Sequence, residues 1–109
     1  MKLSISAFFI VLFSLASGKS FAAWTGYYPV DQVYSHVSGN VYIRLNPGTA
    51  HSNPGGCGNA YWLAVPAAQA NNKDILQMAL TAKGAGLTLQ LGVDGCEGNY
   101  PKVLHSMIE

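Results

Sequence analysis

The chain is 109 residues long, with six Lys or Arg against five Asp or Glu, a formal net charge of +1, 10% charged residues and 50% hydrophobic ones. That length accommodates one small domain, and so few cations exclude nucleic acid and anionic membrane surfaces as partners, since both need many basic contacts. The informative count is that of cysteine, 2, an even number that reads as one bridge.

Lys2 supplies a positive start, Ile5 to Ala16 an apolar run, and Ser20-Phe21-Ala22 the small residues a signal peptidase reads. Residues 1–22 are therefore expected to be a cleaved signal peptide, with residues 23–109 as the exported domain, periplasmic or secreted. The apolar run is too short to cross a bilayer comfortably, so no membrane insertion is expected after cleavage. No cysteine at the cleavage point offers a lipid anchor. Beyond the leader Arg44, Lys73, Lys83 and Lys102 face Asp31, Asp74, Asp94, Glu97 and Glu109, and the balance turns slightly negative.

Trp24-Thr25-Gly26-Tyr27-Tyr28-Pro29 reads as an extended or turn-like aromatic arm. From Val30 to Val37 residues alternate, Val33 and Val37 on one face and Gln32, Tyr34 and His36 on the other, the period of a half-buried strand. Ser38-Gly39-Asn40 makes a turn, and Val41, Ile43 and Leu45 then alternate with Tyr42 and Arg44, completing a hairpin. Asn46 to Gly58 is a loop rich in Gly, Pro, Asn and Ser. A third strand, Ala60 to Val65, turns Tyr61, Leu63 and Val65 inward and Trp62 outward, and Pro66 ends it.

Asn71 and Asn72 suit a helix N-cap, Asp74 complements the dipole in the first turn, and Ile75, Leu76, Ala79, Leu80 and Ala82 form an apolar stripe. Lys83 belongs to the last turn, with Gly84 or Gly86 taking the left-handed C-terminal position. Leu87, Leu89, Leu91 and Val93 then alternate with Thr88, Gln90 and Gly92 as a strand with one buried face. After the turn at 95–99, Lys102 to Ile108 is the last strand. It carries Val103 and Met107 on one face and Leu104 and Ile108 on the other, so one side is left for another element or a second copy of the chain in a homo-oligomer.

The result is a mainly β chain with one helix in the order β-β-β-α-β-β, the connectivity of a small OB-like Greek-key barrel. Export places Cys57 and Cys96 in an oxidising compartment, where they are expected to pair. A loop of that length contributes about 4 kcal/mol on the chain-entropy account.

Two resemblances bear on this outline. Asn53-Pro54-Gly55-Gly56-Cys57, Tyr61-Trp62-Leu63, the helix end at 79–83 and the turn from Val93 to Pro101 are similar to a set of small exported proteobacterial proteins of unassigned function, which implies a shared fold and disulfide. An exported OB-like domain opening on Trp24-Thr25-Gly26 resembles the B subunits of AB5 toxins of the subtilase-cytotoxin and typhoid-toxin type, which form pentameric rings and bind sialylated glycans. The chain is shorter than those subunits and its cysteines lie elsewhere. Tyr34 stands where their glycan-contacting serine falls in an ungapped count, so the resemblance implies the architecture and no contact residue.

His36, His51 and His105 sit on separate elements without ligand spacing, and Asp94, Glu97 and Asn99 lack the spacing of a calcium loop, so neither a metal nor a cofactor is expected. No nucleophile motif is present, the cysteines are taken by their bond, and no enzymatic activity is expected. What remains is the outward side of the first hairpin, where Tyr34, Tyr42 and Arg44, with Trp62 and His36, can gather into a surface for a glycan or a protein partner. Tyr27 and Tyr28 form a lesser candidate. The function expected is a non-enzymatic, B-subunit-like binding module, the alternative being a periplasmic structural or inhibitory protein acting through the loop Asn46 to Gly58.

Overall fold

The computed structural model describes residues 22–48 and 51–109. In chain order it contains β1 (Ala22–Trp24), β2 (Tyr28–Ser35), β3 (Val41–Leu45), β4 (Leu63–Val65), helix α1 (Asn72–Ala85), β5 (Thr88–Glu97) and β6 (Tyr100–Ile108). The expected signal peptide lies outside the described residues, apart from Ala22, which opens β1.

Antiparallel pairs join β2 to β3, β3 to β4, β5 to β6 and β2 to β5, and a parallel bridge at Ala64 and Lys102 joins β4 to β6. These pairings close a ring, the OB-like barrel that the order of elements predicts. The aromatic arm adds one feature to it. β1 and β2 lie along the same edge of β5, with Trp24 opposite Gly92 and Tyr28 opposite Leu89, so together they form one barrel strand interrupted by a bulge. Gly26 takes a φ of 90° there, a conformation side chains resist.

Thr25 repairs the ladder across that interruption. Its N–H donates to the Leu91 carbonyl at 2.9 Å, and its Oγ1 accepts from the Leu91 N–H at 3.0 Å. Thr25→Val keeps the shape but leaves the buried Leu91 N–H without an acceptor, so it is expected to cost about 1–3 kcal/mol in urea unfolding. Thr25→Ser, which restores the hydroxyl, should recover most of that loss.

Inside the ring, Val41, Ile43 and Leu45 of β3 meet Leu63 and Val65 of β4, Leu89, Leu91 and Val93 of β5 and Val103 of β6, all at most 1% exposed. The strict alternation on β3 is the one the sequence predicts. Elsewhere the boundaries shift for local reasons. Val37, expected to face inward, is 97% exposed, because β2 ends at Ser35 and residues 36–40 form the turn. Tyr61 is exposed as well, since the third strand begins only at Leu63. Asn59 explains this: its side chain accepts from the Tyr61 N–H, and its own N–H donates to the Asn99 carbonyl, so the chain is still turning at that point.

The helix buries a narrower stripe than expected, Ile75, Ala79 and Ala82, and leaves Leu80 half exposed. Of the two glycines expected to end it, Gly86 does so, in the left-handed conformation at φ 70°. Asn71 does not cap its start with a side-chain hydrogen bond. It and its neighbours serve the sheet instead. β4 is so short that it meets β6 at a single register position, and the amides of Gln69 and Asn71 donate to the Val103 and Leu104 carbonyls that β4 leaves without partners. Asn72 donates likewise to the carbonyls of Val65 and Pro66.

Leu87 precedes β5 rather than beginning it and is exposed, while β6 starts at Tyr100, ahead of the expected Lys102. The two-sided apolar pattern of β6 also has a local cause. Gly92 pairs with His105 but Val93 with Val103, so a bulge at Leu104 switches which residues face inward, from Pro101 and Val103 before it to Ile108 after it. No second subunit is needed to explain the pattern.

Cys57 and Cys96 form the expected disulfide, with a Cα–Cα distance of 5.8 Å. It pins the loop before β4 onto the β5–β6 hairpin. The backbones approach so closely there that a Cβ on Gly55 would stand 3.0 Å from the Gly95 backbone.

Candidate functional site

The outward residues of the first hairpin border an open groove of about 720 Å³. Period-two alternation on a strand whose other face is buried turns Tyr34 and Tyr42 out, and the β2–β3 register sets them directly opposite each other, stacked at 5.7 Å. Trp62, arriving from the loop before β4, presents its ring to the Tyr34 edge at 6.4 Å. Tyr100 of β6 meets Tyr42 edge-on at 5.1 Å. His36, in the turn after β2, lies against both tyrosines, at 5.9 Å from Tyr34 and 6.3 Å from Tyr42.

Three of the four residues predicted from sequence, Tyr34, Tyr42 and Trp62, line this groove, together with His36. Arg44, the fourth, stands beside the groove rather than in its lining. Its Nε is already paired with Asp31 Oδ2 at 3.0 Å, and its guanidinium carbon lies 5.2 Å from the Trp62 ring centre. Arg44 therefore holds Trp62 in place through a cation–π contact, and Asp31 in turn orients Arg44. Because the paired side chains are 32% and 36% exposed, Arg44→Ala is expected to change stability by no more than about 1 kcal/mol. A loss above about 2 kcal/mol in guanidinium unfolding would show the pair to be structural.

The groove includes residues that sequence reasoning missed. Asp31, Gln32 and Val33 continue its β2 wall, and Lys83 reaches it from the helix, donating from Nζ to the Asp31 carbonyl at 2.9 Å. Tyr100 had no signal to find it, since its place depends on β5 and β6 returning beside the hairpin. The lesser candidates lie apart from the groove: Tyr28 packs on the core and against His51 at 4.1 Å, and Tyr27 stays exposed. His105 instead stacks with Trp24 at 6.1 Å, so the three histidines have three separate settings. Among the described residues no group of three or more His, Cys, Asp or Glu is placed to hold a metal, and no helix is long and apolar enough to cross a membrane.

Fold and groove together define an OB-like barrel with an aromatic surface that spans the β2–β3 hairpin and the approach to β4. No family model matches the chain, and no curated protein or solved structure shows significant similarity to it.

Proposed function

We propose that this chain is an exported, non-enzymatic binding module, B-subunit-like in role, that recognises a glycan or a protein partner through the aromatic groove. The observation that carries this reading is the convergence of Tyr34, Tyr42, Trp62 and Tyr100, from four separate segments of the chain, on one open surface. Aromatic faces attract the C–H surfaces of sugars and the apolar side chains of proteins, and phenol and indole tips add polar contacts at the rim. A groove that presents them to solvent is a far better ligand surface than a folding device, because the barrel already has its core on the other side of the same strands.

The purified chain, screened against an oligosaccharide array and immobilised envelope and host-surface proteins, should capture a partner that Trp62→Ala releases and Arg44→Ala weakens severalfold. Capture unaffected by either substitution would remove this reading. If changes at 51–56 abolished it instead, the protein would act through the disulfide-pinned loop, as the structural or inhibitory alternative requires.

A further inference from the structure

We infer that His36 supplies the groove with an oriented hydrogen-bond donor, its Nε2–H, and that this donor, rather than Arg44, takes an acceptor oxygen of the ligand. The inference deepens the glycan form of the function proposed above and rests on it.

The Ser38 backbone N–H donates to His36 Nδ1 at 3.0 Å, and a backbone amide can only donate. Nδ1 must therefore offer its lone pair, which places the proton of the neutral ring on Nε2. The Ser38 hydroxyl lies 3.0 Å from the same Nδ1, so both contacts of the ring fall on that nitrogen and Nε2 has no protein partner among the described residues.

The ring is also fixed in direction. Two backbone hydrogen bonds close the turn beneath it, His36 N–H to the Asn40 carbonyl at 2.9 Å and Gly39 N–H to the His36 carbonyl at 2.8 Å. Its plane stands nearly perpendicular to Tyr34 and Tyr42, at 77° and 86°. Of the other cations, Arg44 gives its Nε–H to Asp31 and its face to Trp62 and does not line the groove, and Lys83 gives one N–H to the Asp31 carbonyl. The Tyr42 hydroxyl already accepts from the Asn40 side-chain amide at 3.3 Å and its proton still swings about the C–O bond, whereas the imidazole N–H is aimed. A sugar whose C–H face lies on Tyr34 and Trp62 carries its hydroxyl or acetamido oxygens at the ring edge, where a donor beside the tyrosines can reach them. Sites built around such a donor reject analogues that lack the acceptor.

Two measurements test this. Long-range 1H–15N spectra of the purified chain should show His36 protonated at Nε2 near neutral pH. A ring protonated at Nδ1, donating to the Ser38 hydroxyl, would overturn the inference without any variant. The second is a titration with lactose, chitobiose and maltotriose, followed through the Trp62 indole N–H and repeated on two variants. His36→Gln keeps an amide donor and should bind within about threefold of the parent for the sugar that binds. His36→Phe keeps the aromatic contacts but has no donor and should bind about tenfold more weakly. Equal affinities for the two variants would refute the role of His36 while leaving the groove as a glycan site. If none of the three sugars moves the Trp62 signal, the glycan reading fails and the inference fails with it.

Discussion

Replacing both Cys57 and Cys96 with serine is expected to lower folding stability by about 4 kcal/mol, the chain-entropy value for a bridge across their separation of 39 residues. A domain of this size has a net stability of the same order, roughly 5–15 kcal/mol, so the substitution should bring it close to unfolding at physiological temperature. The rest of the barrel explains why little compensates. β4 is three residues long and joins β6 at one position, and the stretch before it is tied by Asn53, whose side chain bridges the N–H and carbonyl of Cys57, and by the Asn59–Asn99 backbone bond. The disulfide is the covalent member of that set, and its loss frees the segment that delivers Trp62. Guanidinium unfolding of the oxidised protein and the double variant measures the difference. A loss below about 1 kcal/mol would mean that the apolar interior suffices alone.

Trp62→Ala is expected to weaken partner binding about a hundredfold, an effect in the range of interface hot spots, with a much smaller change in stability. Tyr34 and Tyr42 stack on each other across adjacent strands, so removing one leaves the other supported by the ladder. Trp62 has no such twin. It precedes β4 rather than sitting in it, and its ring is held by the Arg44 cation on one side and the Tyr34 edge on another. Truncation removes the indole from the groove lining and leaves Arg44 without its aromatic face. Calorimetry with whichever partner the screen identifies, beside thermal melts of the same samples, separates the two effects. Trp62→Phe, retaining a ring, should recover most of the affinity. Affinity unchanged in Trp62→Ala would place the binding surface elsewhere on the molecule.

The candidate site was partly legible before folding was considered. Tyr42 and Arg44 could be placed on one surface because they alternate with the plainly apolar Val41, Ile43 and Leu45, and Tyr34 joined them through the hairpin expected across Ser38-Gly39-Asn40. The pairing of Arg44 with Asp31 was not legible, because a bulge between Val30 and Gln32 shifts the β2 register and turns Asp31 toward the arginine. His36 was visible only as an outward residue. Its tautomer depends on a turn that brings the Ser38 N–H onto Nδ1.

Local periodicity, backbone preference and an even thiol count were enough to set the order of elements, the inward faces of β3 and β5, a helix end at Gly84 or Gly86 and the pairing of the cysteines. Which strand ends became turns, where a bulge exchanged the faces of β6, that side-chain amides near the helix start served β6 rather than the helix, and that Tyr100 and Lys83 joined the groove emerged only on folding. These outcomes depend on register and closure. When strands distant in the chain form a ring, a one-residue offset reverses a face, and which polar groups still need partners is known only once the ring has closed.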